Sequence, residues 1–419
     1  MGKQNKNSLI LRYIALFCIT AAAWVLLKAG GGFHAALSFL KNMEIEEVYN
    51  SSKNIEAGQG HSSSTSINFR YGKQFQDTLS HYRYFSSLYQ EGRSTAVPGL
   101  ESTEILGESC NQMVPQGICI AGDYMLVTAY DNGGSYGKGG HKPNHSVIYV
   151  LSNQNARERK FLTTIVLPDV NHVGGIAFDG ENIWIAKSTD RECSVISYEA
   201  VQEAVGSGKS SYQLEEYGQN VFCGAVASFV TWYGNRLWVG TYSNRVSNMG
   251  SLRSYLVKKE GSGQQKKFTL EKQEEIVIPG YANGVAFWEQ DGKPCMAVAT
   301  SKGRYFDSQI YLYQVYQDSY TGRNIYYCYN SCKFPPMAEE LVCDGENMYF
   351  LFESSATCYS TQAYQKCSYP VDRVCAVPTR KLFWQNQREV LRGSDGTVQK
   401  PYATVNLELA YQERKYWRQ

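Results

Sequence analysis

The residues best equipped for chemistry in this chain are His172, Glu339 and Glu340, with Gln116, Asn283, Glu353 and Lys187 as polar company. A histidine and carboxylates brought together could act as a general acid and base pair. The same oxygen-rich set could hold a divalent cation, the one cofactor these residue types accommodate. Neither chemistry is available unless the segments carrying them converge, because they are spread from position 116 to position 353. The contrasting expectation is that each polar residue caps a hairpin or bonds a neighbouring backbone group at a solvated opening.

Other motifs offer less. Gly206-Ser-Gly-Lys-Ser210 looks like a phosphate loop, but Glu203 stands where the first glycine is needed, and Glu199 to Val205 reads as helix rather than strand. Asp131 to His141 is a long glycine-rich loop whose Tyr136 and His141, with His145 beyond, could overhang a binding mouth, yet it lacks the carboxylate spacing of a calcium loop. The tyrosines of Tyr311 to Tyr329 are expected to pack between sheets, or, on a loop face, to stack on sugars or peptides. No Ser-His-Asp order or nucleophile elbow is present. Of the 12 cysteines, Cys18 lies in an apolar N-terminal run. Cys119, Cys223, Cys295 and Cys343 read as small buried hydrophobes; Cys358 with Cys367, Cys328 with Cys332, and Cys110 with Cys375 are pairs by position only. No C-x-x-C occurs, and no His/Cys spacing matches a zinc site.

What must position the polar residues is a repeat. Five segments align: Val114-Pro-Gln-Gly-Ile118, His172-Val-Gly-Gly-Ile176, Phe222-Cys-Gly-Ala-Val226, Tyr281-Ala-Asn-Gly-Val285 and Met337-Ala-Glu-Glu-Leu341. Each runs into a short strand and then a glycine turn, such as Asp179-Gly180 or Asp291-Gly292, and Asp-Gly between apolar strands is a hairpin signal. Second strands follow, as in Ile183-Trp-Ile-Ala186 and Leu237-Trp-Val-Gly240, and then third strands such as Ser146 to Val150. Units of roughly 50–60 residues suit a four-stranded antiparallel blade with long loops. The expected fold is all-β: a five-bladed β-propeller over 100–383, or a six-bladed one if Glu389 to Leu409, in the extension 384–419, supplies a blade. Ser102-Thr-Glu-Ile-Leu106 stands where a strand could complete the last blade and close the ring.

The runs His172 to Ala186 and Gly224 to Gly240 resemble the repeats of bacterial propellers of the lyase, gluconolactonase and NHL-repeat kind. The resemblance implies the fold over two-thirds of the chain, and a ligand site at the central channel. Residues at the start of the innermost strands would line it: Gln116, His172, Asn283, Glu339 and Glu340, with Glu353 and Lys187 near the ends of second strands. The metal-dependent members lead one to expect an acidic residue in several blades. Here the first four units offer Gln, Gly, Gly and Asn, so no catalytic residue carries over.

The rest of the chain supplies an address. Lys3, Lys6 and Arg12 precede an apolar run from Tyr13 to Leu27, the layout of an uncleaved signal-anchor within 1–28. Basic residues before the run place that end in the cytoplasm and the C-terminal domain outside a single-pass membrane attachment. Residues 29–99 read as a stalk with short helices, including an amphipathic one over Phe75 to Tyr89. A net charge of +2 gives no footprint for nucleic acid. Taken together, the sequence points to a membrane-anchored extracellular scaffold that binds a glycan, cell-wall or protein ligand. The competing class is a hydrolase or lyase working at the channel.

Overall fold

A computed structural model of the chain describes residues 65–133, 140–244, 249–261, 267–320, 322–360, 366–384 and 403–404. The signal-anchor and most of the C-terminal extension fall outside them. Among the described residues no helix is long and apolar enough to cross a membrane.

Asp-Gly and Gly-Asn turns decide the local structure. Gly234-Asn235 and Asp291-Gly292 all take positive φ (60°, 55°, 52° and 70°), the two-residue geometry that reverses a strand without splaying it. Between such turns the alternating apolar runs pair antiparallel into sheets. Blade 1 is built from Met113–Ala121, Tyr124–Asp131, Val147–Ser152 and Phe161–Val166, with Ser211–Gln213 added in parallel. Blade 2 comprises Gly175–Phe178, Asn182–Ala186, Glu192–Ser197 and Gln219–Phe222. Blade 3 is Phe229–Tyr233, Arg236–Thr241, Gly250–Glu260 and Lys267–Ile278. Blade 4 runs Ala282–Gln290, Lys293–Thr300, Ser308–Gln317 and Asn324–Phe334, while blade 5 holds Ala338–Cys343, Asn347–Phe352 and Arg373–Pro378.

The first strand of each blade lies beside the first strands of its two neighbours, and that of blade 5 lies beside that of blade 1. The molecule is a five-bladed β-propeller. Of the segment Glu389 to Leu409, Ala403–Thr404 are described, and they pair with Tyr326 and Tyr327 at the outer edge of blade 4 rather than within a sixth sheet.

Closure differs from the expectation. Thr95–Ala96, not Ser102 to Leu106, completes blade 5, pairing with Val374 and Arg373. Thr103–Ile105 instead folds back on Glu108–Cys110. Leu106 and Gly107 both take positive φ, so this segment turns on itself before it could reach another sheet. The third repeat also shifts. Phe222 ends the outer strand of blade 2, and the inner strand of blade 3 begins at Phe229. Its motif is Val226-Ala-Ser-Phe-Val230, four residues later. The Tyr233↔Arg236 turn fixes where that strand must end.

Phe75 to Tyr89 forms two helices, Gly72–His81 and Arg83–Leu88. They lie on the wall of the ring: Phe75, Phe85 and Leu88 are fully buried with Trp288 and Phe334 of blade 4 and Phe352 of blade 5. Each such side chain contributes roughly 1.5–3 kcal/mol of burial. The guanidinium of Arg373 lies 3.7 Å from the Phe75 ring centroid and 4.0 Å from that of Phe69. Its neighbour Asp372 pairs with it at 2.8 Å and accepts the Tyr71 amide at 2.6 Å. None of the three positional pairs, Cys110 with Cys375, Cys328 with Cys332 and Cys358 with Cys367, is a disulfide. The sulfurs that meet are those of Cys193 and Cys223, 3.5 Å apart inside blade 2.

Candidate functional site at the channel mouth

Each inner strand must present a polar side chain to the axis while keeping its apolar residues between sheets. In three blades a β-bulge does this. Gln116 and Gly117 together face Thr128; Asn283 is an extra residue between the pairs Ala282↔Thr300 and Gly284↔Ala299; Glu339 and Glu340 together face Leu351. The third residue of every repeat therefore reaches one opening: Gln116, Gly174, Ser228, Asn283 and Glu339 all line a cavity of about 460 Å³. The ends of the second strands supply a second tier, Tyr130, Ser188, Tyr242, Ser301 and Glu353, the loops add His172 and Lys302, and the short helix Thr357–Ser360 adds Tyr359.

Inside this cavity the acidic residues form one network. Gln116 Nε2 donates to Glu353 Oε2 at 2.9 Å, and Asn283 Nδ2 donates to Glu339 Oε1 at 3.0 Å. The two carboxyl groups lie close enough to perturb one another. Burial, and then repulsion by Glu353, holds the Glu339 carboxyl well above the usual range. Burial likewise pushes Glu353 up, to about 7, against the pull of Gln116 and Arg304. Both carboxyls therefore hold their protons to higher pH than a free glutamate does.

His172 belongs to the same cavity but not to this network. Its ring lies 4.3 Å from that of Tyr130, and loss of water alone lowers its pKa to about 4. No carboxylate contributes to that shift, so the imidazole is neutral and uncoupled from the glutamates.

Glu340 takes a different place altogether. It does not line the cavity. Its side chain is 1% exposed, and its Oε2 accepts the amides of Ile118 in blade 1 at 2.7 Å and Ile176 in blade 2 at 2.9 Å. The Val230 amide of blade 3 faces the same carboxylate and favours its charge, though Oε1 closes no hydrogen bond. Burial raises the Glu340 pKa, and the three backbone donors oppose the rise. The crossing is possible because its neighbours are glycines. A Cβ on Gly175 would stand 2.7 Å from Glu340 Oε1, and one on Gly284 would stand 2.5 Å from Glu340 Cα.

The structure therefore brings Gln116, His172, Asn283, Glu339 and Glu353 to one opening and takes Glu340 out of it. Lys187 is drawn away as well, pairing with Asp169 at 2.8 Å. His141 bonds Asp131, and His145 bonds the Leu167 carbonyl, so neither overhangs the mouth; Tyr136 lies outside the described residues. Tyr130, Ser188, Ser228, Tyr242, Lys302 and Tyr359 are lining residues that the sequence reading missed. Extending the logic applied to Lys187 and Glu353, the ends of second strands, to every repeat would have found Tyr130, Ser188 and Tyr242. Among the described residues, His172, Glu339 and Glu353 do not bring three ligand atoms within reach of one ion. With amide donors already aimed at both carboxylates, the mouth suits hydrogen bonding better than cation capture.

No family model matches the chain, and no curated protein matches it. Among solved structures it is similar to the Myxococcus xanthus glutaminyl cyclase, at 10% identity and a TM-score of 0.34, over 64% of this chain and 91% of that one. It is similar as well to the PQQ-bound aldose sugar dehydrogenase of Streptomyces coelicolor, again at 10% identity and a TM-score of 0.34, over 63% and 94%.

Proposed function

We propose that this chain is a binding module whose channel mouth takes a small, neutral, hydroxyl-rich ligand such as the end of a glycan. The observation that carries the reading is the meeting of Glu339 and Glu353 in one cavity, each carboxyl receiving a side-chain amide donor and held towards its protonated form by burial. A carboxyl pair of this kind offers both a donor and acceptors while carrying little charge. Around it stand the hydroxyls of Ser188, Ser228 and Tyr359 and the ring of Tyr242, which is 40% exposed. Amides, hydroxyls and tyrosine faces are what a polyol needs, with apolar ring contact below and hydrogen bonds at the rim. A volume of about 460 Å³ admits a small molecule or one chain end. The basic-flanked apolar run at the N-terminus supports placing this module outside the cell on a single-pass anchor.

The test is calorimetric titration of the full chain, held in detergent, with neutral oligosaccharides, peptidoglycan fragments and an anionic sugar as comparison. Saturable binding of a neutral glycan, lost in Asn283→Leu and in Tyr242→Ala, is the expected outcome. No saturable binding of any of these would overturn the reading.

A second reading, a channel hydrolase or lyase, draws on the same observation. Two carboxyl groups in one cavity, one of them protonated, supply an acid and a base. Turnover of a bound glycan, abolished by Glu353→Gln with binding retained, would favour it.

A further inference from the structure

Three successive chain segments meet at the rim of blade 1. Cys110 ends the strand Glu108–Cys110, Asp131 ends Tyr124–Asp131, and His141 lies on the way to Val147–Ser152. The Cys110 sulfur, an Asp131 carboxylate oxygen and a His141 ring nitrogen all lie within 4.8 Å of one another. None of the three lines the channel cavity. Cys110 and Asp131 are 5% and 2% exposed, whereas His141 is exposed, so the cluster is walled on one side and open on the other.

The carboxylate is held in place before anything binds. Gly133 N donates to Asp131 Oδ1 at 2.8 Å. Asn144 N, Asn144 Nδ2 and His141 Nε2 each lie 2.8 Å from Oδ2. Carboxylates that bind metal are characteristically oriented by such outer partners.

We propose that Cys110, Asp131 and His141 bind a zinc ion, leaving its fourth position open to solvent or to a ligand. Thiolate, imidazole and carboxylate are the ligand types zinc accepts, and three protein ligands with an open position make a tetrahedral site. Bond lengths of about 2.0–2.3 Å place tetrahedral ligands roughly 3–4 Å apart. The existing separations need only a small shift of the exposed His141, whose ring proton moves from Nε2 to Nδ1 through solvent so that Nε2 exchanges the Asp131 oxygen for the metal. The Cys110 proton leaves to solvent as the sulfur–metal bond forms. Calcium and magnesium, which take oxygen ligands, gain nothing from the sulfur. The spacing of positions 110, 131 and 141 matches no zinc motif, which is why only the fold brings them together.

The experiment uses the full chain stripped with chelator and titrated with cobalt, then zinc. One cobalt ion per chain should bind with a thiolate-to-metal charge-transfer band, and zinc should displace it. Cys110→Ser should abolish the band, whereas Cys343→Ser, at the one partly exposed cysteine among the described residues, should keep it. His141→Gln, at an exposed position, should weaken zinc binding by more than about tenfold. Absence of the band in the parent chain, its survival in Cys110→Ser, or unchanged zinc affinity in His141→Gln would overturn the proposal.

Discussion

The Glu340 carboxylate of the last repeat accepts the Ile118 amide of the first at 2.7 Å, so the two ends of the repeat array are tied across the channel. Inner strands have no partner on their axial side, and their amides there would otherwise be buried without acceptors. One side chain serves more than one blade, because the Ile176 amide shares the same oxygen.

Glu340→Ala is expected to destabilise the ring by about 3–5 kcal/mol, since it orphans buried donors and leaves a void. Glu340→Gln keeps the shape and one acceptor and should cost less. Denaturant unfolding of the two variants checks this; equal midpoints for Glu340→Ala and the parent chain would refute the tie.

The Glu339–Glu353 pair should make the protein less stable as pH rises. Both carboxyls bind protons more tightly in the folded state than in the unfolded one, so their contribution is present below the ordinary glutamate range and is lost as pH rises, for Glu353 through about 7. Unfolding curves from pH 5 to 8 should show this slope, and Glu353→Gln should flatten it.

His172 should act in the opposite sense. Its folded-state pKa of about 4 lies below the usual 6.5, so stability is lost as pH falls from about 6.5 towards 4. A histidine proton titration by NMR should find one imidazole still neutral at pH 5. His172→Gln should remove part of the acid sensitivity.

Phe85 packs edge-on against Phe334 at 4.9 Å, holding the two N-terminal helices on blades 4 and 5. Phe85→Ala should cost about 3–5 kcal/mol by transfer and cavity effects. Hydrogen exchange should rise across 72–88, and also at Thr95–Ala96, the strand that closes blade 5. Protection unchanged at 95–96 would mean that closure is independent of the helices.

Sequence alone determined the repeat. Its signals are local: paired positive-φ turns, alternating apolar strands and a recurring short motif, all written in consecutive residues. With the propeller resemblance it carries, it grouped Gln116, His172, Asn283, Glu339, Glu340, Glu353 and Lys187 at one opening. Tertiary structure decided what local pattern could not. Glu339 and Glu340 are neighbours of one type, and a bulge opposite Leu351 sends the first into the cavity and the second across the axis. Closure by Thr95–Ala96, the frame of the third repeat and the meeting of Cys110 with Asp131 and His141 likewise depend on which distant strands pair. Those choices rest on long-range packing and on the satisfaction of buried backbone groups, which no stretch of sequence carries by itself.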